Sequence, residues 1–122
     1  MTNQFKPRGR GRPKPESLLQ KKIINFLKVR DWSVDSTHGN AYQSGFPDLF
    51  ACHHQYGSRW IEVKMPVGYA FTPAQLEQFP RWSSKNVGIY ILTAATQEQY
   101  ELLFKPANWH MFLSIMKEGH HG

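Results

Sequence analysis

Two carboxylates and an ammonium are placed where they could act on one phosphate. They are Asp48, Glu62 and Lys64, all within "SGFPDLFACHHQYGSRWIEVKM" (Ser44–Met65). The stretch reads as two strands, about Pro47–His54 and Arg59–Met65, joined by a turn at "QYGS". Side chains alternate across a strand, so Trp60, Glu62 and Lys64 share one face while Ile61, Val63 and Met65 share the other. A turn centred near Tyr56 pairs residues whose numbers sum to about 112. Asp48 then falls opposite Lys64 and diagonal to Glu62. Carboxylates held close repel one another unless a cation sits between them. Oxygen ligands that leave room for water suit Mg²⁺. A bound divalent cation acidifies its water and neutralises charge on a phosphate. An ammonium beside it can orient the attacking water or stabilise the crowded phosphate. The set could therefore cut a phosphodiester. The same three charges also read as a solvent-facing ion-pair cluster, and the bare pattern leaves both readings open.

The elements that would position these groups follow from periodicity. Pro15 suits the first turn of a helix, and Leu19, Ile23, Ile24, Phe26 and Leu27, with Leu18 beside them, form a helical stripe from Glu16 to about Arg30. "WSVDST" predicts a strand and "HGNAYQSG" a loop. "TPAQ" predicts a helix start, with Thr72 as N-cap, Pro73 first inside and Gln75 closing a capping box; Pro80 should kink or shorten that helix. "VGIYILTA" reads as a fully buried strand, "TQEQYELLF" as a capped helix and "ANWHMFLSIMKEG" as an amphipathic one. The order α-β-β-β-α-β-α-α predicts an α/β fold, a mixed β-sheet flanked by helices.

The chain has 122 residues, 40% of them hydrophobic, which is enough for one domain with a core. No apolar run approaches the ~20 residues of a membrane span, so no membrane partner is expected. The basic N-terminus lacks an apolar core, so no secretion signal is expected. Cys52, the single cysteine, fits a reducing cytoplasm or nucleus. Of the net charge of +6, residues 1–14 carry +5 through Lys6, Arg8, Arg10, Arg12 and Lys14, and residues 15–122 carry +1. Two segments are thus expected, a disordered basic arm (1–14) and a folded domain (15–122). The charge on the arm points to a polyanion partner, DNA before others.

"GFPDLF", then "WIEVK", then "FTPAQ", followed by an apolar strand from Val87, resembles the PD-(D/E)xK nuclease superfamily. The pattern is most similar to VRR-NUC-type nucleases, whose relatives include Holliday-junction resolvases and flap or repair nucleases. The resemblance spans about residues 16–95. It implies a restriction-endonuclease-like core in which Asp48, Glu62 and the main-chain carbonyl of Val63 hold Mg²⁺ or Mn²⁺. Lys64 would serve the nucleophilic water, Gln75 would face the site, and Glu16 would reach the metal through water from the first helix. Glu16 also reads as a plain first-turn acid, and Gln75 as a plain capping residue. The implied function is metal-dependent endonucleolytic hydrolysis of DNA, selective for branched structures such as junctions or flaps. A resolvase of four-way junctions would be a homodimer, since two like strands must be cut symmetrically. The alternatives are a non-catalytic DNA-binding protein on a nuclease-like scaffold and a small nicking or restriction-type endonuclease.

In the arm, Arg10-Gly11-Arg12-Pro13, flanked by Arg8 and Lys14, resembles an AT-hook. That resemblance implies an extended chain in the A·T minor groove, with Gly allowing close approach and Arg following the narrow, negative groove. A generic phosphate-binding tail is the other reading. His53 and His54, adjacent on a strand, should point to opposite faces and have no metal-spaced partner, so no zinc site is expected. His38 reads as a loop residue or a phosphate contact. Tyr69, Phe71, Phe79 and Trp82 read as core or as stacking partners for an unpaired base, and Trp109, Phe112 and Ile115/Met116 as core or a dimer face.

Overall fold

The structure, a computed structural model, describes residues 14–37 and 44–113. The arm residues Arg8, Arg10, Gly11, Arg12 and Pro13 lie outside the described residues, as do His38, Ile115, Met116, His120 and His121. Helix α1 (Pro15–Lys28) opens on Pro15 with Lys14 as its N-cap residue, and it buries Ile23 and Leu27. Strands β1 (Ser33–Ser36), β2 (Leu49–His53), β3 (Gly57–Val63) and β4 (Ile89–Leu92) form one sheet in the order β1-β2-β3-β4. β1/β2 and β2/β3 are antiparallel and β3/β4 parallel, so the sheet is mixed. Helix α2 (Pro73–Ser84) makes the parallel crossover. Helix α3 (Gln97–Glu101) runs into a 3₁₀ turn (Leu102–Phe104), and a helix starts at 109. The fold class and element order read from the sequence are those observed. No helix among the described residues is long and apolar enough to cross a membrane.

Alternation on the strands divides the core into two layers. Leu49, Ala51, Ile61 and Val63 pack with Ile23 and Leu27 of α1 and with Trp32 and Leu103. Ile89 and Ile91 pack on the other face with Phe71, Phe79 of α2 and Trp109. Trp109, Phe71 and Phe79 are therefore core, as one of their two readings held. The outer edge of β4 is sealed by a side chain: the Ile91 N–H donates to Asn108 Oδ1 at 2.7 Å and Asn108 Nδ2 donates to the Ile91 carbonyl at 3.2 Å. A side-chain amide thus replaces a neighbouring strand and blunts an open edge. Tyr90 on this strand is only half-buried, because β4 ends the sheet.

Three sequence expectations are corrected. The hairpin pairs Leu49 with Ile61 and Phe50 with Trp60, so the same register carried one step on sets Asp48 against Glu62, not Lys64. The cause is the turn: His53 pairs with Gly57, whose φ of +85° begins the return strand instead of lying mid-turn. The two-residue slip preserves the face of every side chain. Second, Pro80 does not shorten α2, which runs through it to Ser84. Pro80 removes one bond to the carbonyl of Leu76, but both residues are exposed and water can replace it. Third, His53 and His54 do not diverge. The strand ends at His53, and the two rings stack at 4.6 Å.

The loop before β2 reaches α2 through Gly45. Its φ is +85°, and a Cβ there would lie 2.8 Å from the carbonyl oxygen of Ala74. Only glycine combines that backbone with so close an approach. Gly45→Ala should cost at least ~1 kcal/mol from the left-handed backbone alone, a fall of roughly 4–8 °C in Tm by thermal unfolding.

Candidate metal centre

The carboxylates of Glu16, Asp48 and Glu62 each bring an oxygen within 4.8 Å of the others. Three elements converge to do this: the first turn of α1, the residue entering β2, and β3. Glu16 is exposed, Asp48 half-buried and Glu62 buried, so the cluster opens to solvent on one side. Glu16 is an acid in the first turn of α1, and its carboxylate lies within 4.8 Å of the other two.

Asp48 and Glu62 each accept a backbone N–H from the opposite strand segment. The Asp48 N–H donates to Glu62 Oε1 at 3.1 Å, and the Val63 N–H donates to Asp48 Oδ2 at 2.8 Å. Val63 thereby joins the site through its N–H. Thr37 fixes the start of β2 from the far side, its hydroxyl donating to the Pro47 carbonyl at 2.7 Å and its N–H to the Asp48 carbonyl at 2.9 Å. The second Glu62 oxygen, Oε2, accepts from Gln75 Nε2 at 2.7 Å and pairs with Lys64 Nζ at 3.1 Å.

Gln75 closes the capping box read from the sequence and also hydrogen-bonds Glu62. Its Oε1 accepts from the Thr72 N–H at 3.0 Å while Thr72 Oγ1 accepts from the Gln75 N–H at 3.1 Å, a complete capping box. The same amide turns its NH₂ to Glu62, so the start of α2 and the buried acid are one hydrogen-bonded unit. Lys64 spends its three protons on Glu62, on the Ala70 carbonyl at 2.6 Å and on Gln75 Oε1 at 3.3 Å. To contact a water it must release one of these, and the bond to Gln75 is the longest. The Ala70 carbonyl had no signal in the sequence, since any residue supplies one.

Burial raises the Glu62 carboxyl from 4.5 to about 7, with the charge of Asp48 adding to it and Lys64 and Gln75 opposing it. A buried acid pressed against a second one favours either a proton or a cation. An all-carboxylate donor set with an open side fits a hard divalent cation that keeps several waters. Asp48 and Glu62 are the side chains that would hold it, with Glu16 close enough to reach it through water. The alternative of a solvent-facing ion-pair cluster does not describe this site, because Glu62 and Lys64 side chains are only 2% and 7% exposed. His53 lies outside any such cluster among the described residues, and its Nδ1 accepts from the Gln55 N–H at 3.0 Å.

Among solved structures, one described as a "VRR_NUC domain" aligns with 76% of this chain and 98% of its own, at a TM-score of 0.56 and 20% identity. The fold is of the VRR_NUC kind. At that identity the likeness is one of architecture. No protein-family model matches the chain, and no curated protein matches it. The VRR_NUC-like fold agrees with the restriction-endonuclease-like sheet expected from the motifs, and the acidic cluster lies on the residues those motifs single out.

The raised Glu62 carboxyl gives a pH signature. Between 4.5 and about 7 the folded protein holds a proton that the unfolded chain releases, so this contribution to stability is present below pH 4.5 and is lost as pH rises through 7. A cation competes with that proton. Mg²⁺ or Mn²⁺ should therefore raise Tm more at pH 8 than at pH 5, and Glu62→Gln should remove the difference; thermal shift at the two pH values checks it.

Proposed function

We propose that this protein is a metal-dependent DNA endonuclease. The observation that carries the reading is the convergence of Glu16, Asp48 and Glu62 with Lys64 and Gln75, in a fold like that of a VRR_NUC domain. Asp48, Glu62 and the main-chain carbonyl of Val63 would hold Mg²⁺ or Mn²⁺, with Glu16 reaching it through water. When bound, the cation supplies charge neutralisation at the scissile phosphate and a more acidic water. The chain's own residues do the rest. Asp48 and Glu62, each fixed by a backbone N–H, set the position of the negative charges. Gln75 holds Glu62 from the opposite side and keeps its carboxylate from rotating. Lys64 places a positive charge beside Glu62 in a water-poor site, where it stabilises the additional charge of the transition state. Its move from Gln75 to a water or phosphate oxygen would cost only the longest of its three bonds.

Branched DNA, such as junctions or flaps, is the proposed substrate class, and a homodimer the proposed form on four-way junctions. Residues 1–14 are proposed as a DNA-holding arm of AT-hook type attached to the nuclease domain 15–122. The body is nearly neutral, with +1 of the +6, so the arm would supply most of the duplex affinity.

Labelled junction, flap, nicked and linear DNAs test the chemistry. Cutting should require Mg²⁺ or Mn²⁺, while Ca²⁺ supports binding without cutting. Asp48→Asn and Glu62→Gln should each abolish cutting and leave DNA affinity near that of the parent, and Lys64→Ala should slow it by at least ~10²-fold. Cutting at the parental rate by either carboxylate variant, or after thorough chelation, would refute the assignment. The arm has its own test. Each phosphate neutralised on duplex DNA adds about −0.9 to the slope of log affinity against log salt. Deleting residues 1–14 should flatten that slope by several units and leave cutting at saturating DNA intact. Arg10→Ala with Arg12→Ala should erase a preference for A·T-rich DNA if the arm is an AT-hook, and only weaken binding if it is a generic tail.

A further inference from the structure

Beside the acidic cluster lies an aromatic group at the rim of the second core layer, against which Trp60 and Trp82 pack while staying half-buried. Phe46 precedes Asp48 by two residues, and Trp60 precedes Glu62 by two on the same strand face, roughly 7 Å along β3. Trp82, from the second half of α2, meets both edge-to-face, at 5.0 Å from Phe46 and 5.0 Å from Trp60. All three are half-buried, in contrast to Phe79, which is 0% exposed on the same helix. Trp60 and Trp82 wall a groove of about 280 Å³ with Val87, and its rim carries Arg81 and Lys85, both exposed. That volume sits just below the ~300 Å³ at which pockets begin to hold drug-sized ligands, so it suits something as small as one base. The two cations also complement the C-terminal end of α2. That explains their charge but not two indoles left half-exposed between them.

We propose that this groove receives an unpaired nucleotide of the DNA substrate, its base stacked on Trp82 or Trp60 and its phosphates held by Arg81 and Lys85. The proposal rests on the nuclease reading and makes it specific: the preferred substrate has a single-stranded nucleotide next to the scissile phosphate. Aromatic faces accept any base, so the groove selects structure and not sequence. Base-paired DNA keeps its bases stacked inside the helix and cannot offer one. The covalent link of Phe46 to Asp48 and of Trp60 to Glu62, through one residue each, fixes the groove relative to the acids. A base seated there therefore sets which phosphate reaches them.

The test uses the full chain in chelator with two probes of identical duplex, one blunt and one with a single-stranded extension carrying 2-aminopurine. The expected result is about tenfold tighter binding of the extended probe, with quenching of the 2-aminopurine, in the range of one lost or gained base–aromatic stack. Trp82→Ala should remove both the preference and the quenching while leaving affinity for the blunt probe unchanged. Arg81→Glu with Lys85→Glu, at exposed positions that do not enter the core, should also remove the preference and decides the matter if Trp82→Ala fails to fold. Equal parental affinity for the two probes overturns the proposal. So does a preference that Trp82→Ala retains in full, which would be phosphate attraction alone. Mg²⁺-dependent cutting of the same probes is read in parallel. Cutting without preference overturns the groove and leaves the nuclease; preference without cutting leaves the groove on a protein that only binds DNA.

Discussion

The carboxylate of Glu62, 2% exposed and facing a second acid, is the constraint on which the rest of the structure depends. An ionised carboxylate in such a place is costly unless it is paired and fully hydrogen-bonded. Each of its oxygens is therefore engaged: one by the Asp48 N–H, the other by Gln75 and Lys64. Even so its carboxyl rises to about 7, because burial and the neighbouring Asp48 outweigh the two favourable partners. The protein holds this group in a state that a divalent cation would relieve. A surface ion pair would have no such tension, since water would screen it.

The surrounding architecture serves to keep four elements in register around that group. Gly45 lets the loop before Asp48 approach the backbone of α2 at a distance no other residue allows. The capping box of α2 then delivers Gln75, and the connection after β3 delivers the Ala70 carbonyl to Lys64. Because Glu62 belongs to β3 and Lys64 follows that strand directly, with its N–H donating to the Leu92 carbonyl of β4 at 3.1 Å, the site moves with the sheet and not with a loop. A constellation built on strands and a helix start is held more closely than one built on loops.

Much of this was legible in the sequence, for physical reasons that differ by element. The apolar period-2 pattern around Glu62 and the helical stripe of α1 reflect burial, and both elements form, β3 two residues earlier than the Arg59–Met65 expected. The Thr-Pro-x-Gln helix start was legible as a cap because capping is local chemistry. Its second role, binding Glu62, depends on a partner 13 residues away and could be reached only through the resemblance. The hairpin register was misplaced because the left-handed conformation of Gly57 belongs to the strand entry, a distinction that residue type alone does not carry. Pro80 was expected to kink or shorten α2; it does not shorten it, and Phe79 and Trp82 anchor the helix on either side of it. The groove between Trp60 and Trp82 needed the fold itself, since 21 residues and a change of element separate its walls.

The proposed divalent-cation site of Asp48 and Glu62, with Glu16 beside them, should owe its affinity to the buried acid. Titration of the full chain with Mn²⁺, followed by the loss of the free-ion electron paramagnetic resonance signal at neutral pH, tests it without reference to any substrate. Saturable binding that disappears in Glu62→Gln and in Asp48→Asn, with both variants folded, is the predicted result. Mn²⁺ binding of equal strength in Glu62→Gln and the parent would contradict it.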